Sequence, residues 1–396
     1  MIEIETETPH VIKYMGSKRS IIDFVVNAIV NNSNSSQRLY DLFGGSAVVA
    51  GALRNEMPVT CNDIQKYTTV PGQLYLQNYY WENHPENIID IIIDKAACVF
   101  QKNLKSIKSE GLLYDNASSF EDVAKIESKS QALLKFKFPF EDHLFVKNYS
   151  GTYWSFEQCL WIDSISSIAR SDAYRNTFIY PVILSSLMFA MSYCSQSTGH
   201  YAQHRVLTPD NVHDVLMYRK KTILKLFKQK FLSLKDFYTG SSNTEFSHQL
   251  ETQDFMDLLK SSISHSVVYA DPPYQFVHYS RFYHALETLV KYDFPNVTHK
   301  GRYRDDRHQS PFCISSKVKG AFQGMFELIN KKHSTLILSY SHTGMISLEE
   351  LIKISASTFR NYTTEVQELD YKHSTMGRSG DKSRDVKEIL LIMKPN

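Results

Sequence analysis

Cysteine is scarce in this 396-residue chain: Cys61, Cys98, Cys159, Cys194 and Cys313, none forming a Cys-x-x-Cys pair. An odd number without paired spacing excludes a disulfide framework and a structural zinc site, and it fits reduced, intracellular thiols. Long hydrophobic runs are missing as well. The most apolar stretch, 178–194, is interrupted by Pro181 and several serines and is too short to span a bilayer. It is expected to be a buried core helix of a soluble protein without a membrane partner. The opening Met1-Ile2-Glu3-Ile4-Glu5 is acidic and lacks a signal-peptide pattern. Of fifteen histidines, His200 and His204 stand four apart, as two ligands on one helical face would. No His-Glu-x-x-His pattern or third ligand accompanies them, so no metal is expected. A formal net charge of +2 says little alone.

Hydrophobic residues make up 42% of the chain, enough for a sizeable core in one large domain or two modest ones. Short apolar runs read as strands at both ends: Arg38-Leu39-Tyr40-Asp41-Leu42, Val59-Thr60-Cys61, Val267-Val268-Tyr269-Ala270 and the final 387–393. Strands and helices alternate there, as in an open α/β sheet. The middle differs: 88–100 and 157–169 are helical in period, 103–130 is a polar connection, and Gly240-Ser241-Ser242-Asn243 suits a hinge. The expected organisation is a discontinuous α/β domain, 1–80 and 245–396, around a mostly helical insertion, 81–244.

Asp271-Pro272-Pro273-Tyr274 closes one of those strands. Two consecutive prolines cannot continue strand pairing, and the first holds Asp271 extended. The result is a rigid strand end offering a carboxylate, an aromatic ring and carbonyls without competing donors. An exocyclic amino group such as adenine N6 is a poor nucleophile, because its lone pair is delocalised into the ring. A carboxylate (Asp271) and a backbone carbonyl (Pro272) accepting from that NH2 would pull the nitrogen toward sp3, aiming the lone pair at an electrophile such as a sulfonium methyl. That is catalysis by positioning and preorganised dipoles. Tyr274 would stack on the base.

A cosubstrate site is also readable. The strand ending in Asp41 runs into Phe43-Gly44-Gly45-Ser46 and a helix start, the opening of a nucleotide-type βαβ unit. Asp63 follows about twenty residues later, where an acid can bind ribose hydroxyls. No phosphate-loop lysine accompanies the glycines, which counts against a nucleoside triphosphate. Lys18, after the Gly16-Ser17 turn, can pair with a small carboxylate, and Asp254-Phe255 offers an acceptor and a ring for an adenine moiety. Basic stripes suggest phosphate contacts. Residues 217–235 hold seven basic and no acidic residues, with Lys221, Lys225 and Lys228 on one helical face opposite Leu224, Phe227 and Phe231. Residues 295–320 hold six basic residues, among them Arg302, Arg304 and Arg307, against Asp305 and Asp306, within a basic segment spanning 275–320 that also holds Arg281.

Taken together these segments resemble the Dam-type class of S-adenosylmethionine-dependent DNA N6-adenine methyltransferases. The pieces run in order from Lys13 and Lys18, through Asp41 to Ser46, Asn62-Asp63 and Asp254-Phe255, to Asp271 and Tyr274. Further segments resemble a restriction-modification branch: Gly151-Thr152-Tyr153-Trp154-Ser155, Gly199-His200-Tyr201-Ala202-Gln203, Tyr279-Ser280-Arg281-Phe282-Tyr283-His284 and Leu338-Ser339-Tyr340-Ser341. The resemblance implies a Rossmann-like methyltransferase sheet with helices on both faces, and a helical target-recognition insertion. It implies that Asp271, Pro272, Pro273 and Tyr274 hold the target base. Tyr14, Lys18, Asp41, Phe43, Gly45, Ser46, Asp63, Asp254 and Phe255 then surround S-adenosylmethionine. It further implies double-stranded DNA and a cognate restriction endonuclease as partners, and a cytoplasmic protein encoded by a prokaryote or a phage. One position departs: the family usually has glycine where this chain has Ala47, whose methyl either crowds the methionine portion or sits in the first helical turn. Asp271 favours adenine over cytosine N4, whose enzymes tend to have serine there, and over protein amides, whose enzymes have asparagine. RNA adenine methylation and a non-catalytic DNA-binding role in a defence assembly are the remaining alternatives.

Overall fold

A computed structural model describes residues 6–197, 200–273, 276, 278–342, 344–374 and 383–396. Seven strands form the main sheet: β1 (Leu39–Asp41), β2 (Val59–Asn62), β3 (Gln249–Glu251), β4 (Val267–Ala270), β7 (Thr335–Ser341), β8 (Tyr362–Ser374) and β9 (Ser383–Pro395). Their order is β3-β2-β1-β4-β7-β9-β8. Neighbours from β3 to β7 pair in parallel, while β9 runs antiparallel to both β7 and β8. A separate small ribbon pairs β5 (Val297–Thr298) with β6 (Tyr303–Arg304). The chain builds outward from β1 through β2 to β3, then returns to β4 on the other side of β1. That reversal is the topological switch point at which open α/β sheets bind ligands.

β1, β2, β4 and β7 are buried along their whole length, as expected for parallel strands covered on both faces. Alternate residues feed two cores. Leu39, Val59, Val267, Tyr269 and Ile337 join one, and Tyr40, Leu42, Val268, Leu336 and Leu338 the other. The helices Phe255–Ser261, Ser315–Lys331 and Leu348–Thr358 cover the second face. Four long helices of the middle, Ile88–Lys105 among them, lie on the first, while Phe120–Ala132 packs in a small cluster of its own with Val215 and Leu216. The helices Phe156–Arg170, Ile179–Cys194 and Ile223–Thr239 enter the same continuous core as Val25, Leu39 and Val267.

Between residues 81 and 244 the described elements are helices. The stretch read as a buried helix is Ile179–Cys194, and no described helix is long and apolar enough to cross a membrane. Phe227 and Phe231 are fully buried while Lys225 and Lys228 are exposed; Lys221 precedes that helix, which begins at Ile223. The polar connection contains an unexpected helix, Phe120–Ala132, started by a capping box between Ser119 and Asp122. His200 and His204 do not share a helical face: neither is helical, and His204 bridges to Ser197.

Candidate active site

The carboxyl ends of β1, β2 and β4 open into a cleft. Its wall gathers segments far apart in sequence. Tyr14 and Lys18 come from the N-terminal turn, Asp41, Phe43, Gly45 and Ser46 from the end of β1, Asp63 from the end of β2. Asp254 and Phe255 lie after β3, and Asp271, Pro272 and Pro273 after β4. Tyr274 lies outside the described residues, as does Gly199.

Local chemistry explains why these ends converge. The buried Asn62 amide donates to the carbonyls of Leu42 and Gln253, both at 3.1 Å, and its oxygen accepts the Gln253 N–H at 3.2 Å. One side chain therefore ties the chain after β1 and after β3 to the end of β2. Gly45 has φ +52, and a Cβ there would stand 2.7 Å from Tyr14 Oη, so the Tyr14 ring fits only against glycine. Tyr14 is in turn stacked on Tyr283, with centroids 4.8 Å apart, and on Tyr279 at 5.4 Å. Asp63 accepts the N–H groups of Gly45 at 3.0 Å and Gln65 at 2.8 Å. Phe43 and Phe255 pack 5.4 Å apart, each against Phe312, and Asp254 caps the helix Phe255–Ser261 by accepting the Met256 N–H at 2.9 Å.

Ala47, at the departing position, has φ +57, the left-handed region that glycine adopts without strain. It is fully buried and is not part of the cleft wall, so its methyl turns into the core. Of the two readings of this position, a place at the start of the helix Val48–Ala52 fits, since Ala47 is its N-cap.

Electrostatics set the cleft apart from the surface. Burial pushes the Asp41 carboxyl up to about 8, with the nearby Asp271 charge adding to the rise. Its Oδ1 has no hydrogen-bond partner among the described residues. Burial raises Asp63 to about 6, against the two N–H bonds that favour its charge. Burial likewise lifts Asp271 to about 6; Lys18 opposes the rise and Glu388 adds to it. Lys18 does not stand free for a ligand carboxylate. It is 5% exposed, and its Nζ lies 3.1 Å from Asp271 Oδ1 and 2.9 Å from Glu388 Oε1. Sequence reasoning had no signal for Glu388, which sits inside the apolar final strand and is fully buried. A cleft with four acids around one committed lysine favours a cationic ligand.

The basic residues divide into two groups. Arg302 is buried and donates to the carbonyls of Asn148 at 2.5 Å and Gln131 at 3.3 Å. Arg304 is 2% exposed and holds Asp293 and Asp306, each through two hydrogen bonds. Their guanidiniums are consumed inside the protein, which corrects the expectation that they contact DNA phosphates. Arg281 is exposed and Arg307 half-buried, both near the Tyr303 ring beside the cleft. Lys225 and Lys228 are exposed on the helical middle, Lys228 pairing with Asp90 at 2.5 Å. Lys221 donates to the Tyr193 carbonyl at 3.1 Å.

A mostly parallel sheet with a switch point, a glycine turn after β1 and an acid after β2 define a Rossmann-like methyltransferase fold. Residues 14–150 and 205–370 match the D12 class N6 adenine-specific DNA methyltransferase family, and the chain belongs to that family. It is 23% identical to modification methylase LlaI of Lactococcus lactis subsp. lactis, over 97% of this chain and 55% of that protein. It is 22% identical to type II methyltransferase M.FokI of Planomicrobium okeanokoites, over 91% of this chain and 50% of the relative. Type II methyltransferase M.NlaIII of Neisseria lactamica is 24% identical, with 96% of this chain and 98% of the relative aligned. The chain thus spans about half the length of LlaI and M.FokI, and nearly all of M.NlaIII.

Proposed function

We propose that this protein transfers a methyl group from S-adenosylmethionine to the N6 of an adenine in duplex DNA, as the modification activity of a restriction-modification system. The observation that carries the reading is Asp271: a carboxylate at the switch point, beside two prolines, 19% exposed, in the wall of a cleft that also holds Asp41, Asp63, Asp254, Phe43 and Phe255.

The cleft suits the cosubstrate on its own evidence. Asp41 offers a buried oxygen without a partner among the described residues, and Gly45 leaves a cradle under Tyr14. Asp63 would take the ribose hydroxyls, Phe43 and Phe255 would flank the adenine ring, and Asp254 would accept from its amino group. Gly16, Ser17 and Ser46 complete the wall near the methionine portion. S-adenosylmethionine supplies an electrophilic methyl on a sulfonium. Asp271 and the Pro272 carbonyl accept from the target amino group and orient its lone pair, with Tyr274 stacking on the base. Reaching that depth requires the adenine to leave the helix stack. Arg281, Arg307, Lys225 and Lys228 would meet phosphates. The helical middle, 81–244, would carry target recognition.

The test is methylation of DNA by the purified protein with tritiated cosubstrate, followed by mass spectrometry of the nucleosides. N6-methyladenine is expected, and Asp271→Ala is expected to abolish it while cosubstrate binding survives. N4-methylcytosine as the product, methylation of RNA in preference to DNA, or an unaffected Asp271→Ala protein would overturn the assignment.

A further inference from the structure

Behind Asp271, on the side away from the cleft, lies a carboxylate that the reading above does not use. β9 runs antiparallel to β7, so its leading part reaches the edge where the parallel strands end. There Glu388 pairs with Ser341 on one side and Leu369 on the other. Lys18 Nζ bridges Glu388 Oε1, at 2.9 Å, and Asp271 Oδ1, at 3.1 Å. Ser339 Oγ reaches the same two oxygens, 3.2 Å from Asp271 Oδ1 and hydrogen-bonded to Glu388 Oε1. A cation and a hydroxyl therefore clasp one pair of carboxylate oxygens. The other oxygen of Glu388, Oε2, is buried without a hydrogen-bond partner among the described residues. An acid left in that state destabilises a fold, and an amide or apolar residue of similar size would cost less. The charge at this position calls for a role.

We propose, on the methyl-transfer reading, that Glu388 is a positioning residue for Asp271. It anchors Lys18 and Ser339 against Oδ1, which fixes the rotation of the Asp271 carboxylate. Among the described residues both partners of Asp271 fall on Oδ1, so Oδ2 is left for the target amino group. Glu388 also sets the charge behind the site. Lys18, Asp271 and Glu388 together carry one positive and two negative charges, and the surplus negative charge stabilises the positive charge that develops on a nitrogen taking a methyl group. Without Glu388 the pair of Lys18 and Asp271 is neutral.

Glu388→Gln keeps the size and one acceptor oxygen and removes the charge. The titratable groups around Asp271 are Lys18, Glu388, Asp41 and Tyr269. Since Lys18 favours the ionised Asp271 and Glu388 opposes it, the variant is expected to lower the Asp271 titration midpoint. Carbon-13 carboxyl NMR of the protein without DNA reads that shift. Single-turnover methyl transfer is expected to slow roughly tenfold or more, as losses of such supporting groups do, with cosubstrate affinity unchanged. Glu388→Asp retains the charge and shortens the reach. It is expected to lose rate while the midpoint stays near its natural value, and it serves if the glutamine variant does not fold. A folded Glu388→Gln protein with an unmoved midpoint, or with an undiminished rate, overturns the proposal. So do equal rate losses in both variants with no midpoint shift, the signature of mere packing. The titration reads Asp271 whether or not DNA is methylated, so a natural protein that transfers no methyl group would sink the functional reading separately.

Discussion

Asp63 Oδ2 accepts the backbone N–H of Gly45 at 3.0 Å, so the acid after β2 holds the glycine turn that follows β1. Asp63→Ala removes that tie together with a ligand acceptor. Calorimetric titration should show S-adenosylmethionine binding weakened about tenfold or more, the equivalent of one or two hydrogen bonds to a charged group. Asp63→Asn keeps an acceptor oxygen for the turn and should retain more stability than affinity. Unchanged affinity in the alanine variant would remove Asp63 from the site.

Asp41 makes cosubstrate binding depend on pH in a defined direction. Its raised value of about 8 means that the folded protein holds this proton well above the ordinary carboxylate range. Folding stability from this group is greatest near pH 4 and below, and it declines as pH rises toward 8. A ligand bearing a sulfonium and an ammonium favours the ionised form, so binding near pH 7 should release a proton and tighten with pH up to about 8. Calorimetry in buffers of different ionisation enthalpy measures the release directly. Heats that do not vary with the buffer would contradict it. Asp271 must be ionised to accept from an amino group, so the transfer rate should fall as pH drops through about 6.

Ala47→Gly should stabilise the protein. An L-residue in the left-handed region costs about 1–2 kcal/mol, and part of the gain is offset by the freer unfolded chain that glycine gives. A net gain of about 0.5–1 kcal/mol corresponds to a Tm rise of roughly 1–3 °C in a scanning melt. Cosubstrate affinity should not change, because the methyl lies outside the cleft wall.

The arginines should separate into two phenotypes. Arg304→Ala leaves Asp293 and Asp306, both about half exposed, without their shared partner, and should lower stability by about 2 kcal/mol in denaturant melts. Arg281→Ala with Arg307→Ala should leave the melt nearly unchanged. That pair should weaken DNA binding and reduce the slope of log affinity against log salt by about two. A salt slope equal to that of the natural protein would remove both from the DNA-facing surface.

Strand ends were the legible part of this chain. Short apolar runs closing on Asp41, Asn62 and Asp271 showed where the sheet would present its ligands; the prolines after Asp271 cannot continue a ladder, and Gly44-Gly45 after β1 favour a turn. β3 escaped notice since it is only three residues long, Gln249–Glu251, with the single apolar side chain Leu250, and is held at the sheet edge by pairing with β2. β8 escaped because its exposed, charge-rich alternation looks like a surface loop until β9 pairs with it. Arg302 and Arg304 read as a basic stripe because their acceptors come from the Asn148 and Gln131 carbonyls and from Asp293, which spacing along the chain does not reveal. Glu388 was hidden for the same reason: only the antiparallel arrival of β9 carries it to Lys18.

The continuous core beneath one sheet face bears on how such an enzyme could acquire a new target sequence. Leu160, Ile183 and Phe231 of the middle pack in the same core as Val25 and Val267 of the sheet layer. Transplanting the helical middle from a relative would strip apolar surface from the very layer that positions Asp41 and Asp271. On the proposal that the helical middle reads the target, divergence of specificity is channelled into exchanges on the exposed side of those helices, with the buried side inherited almost as if it belonged to the sheet.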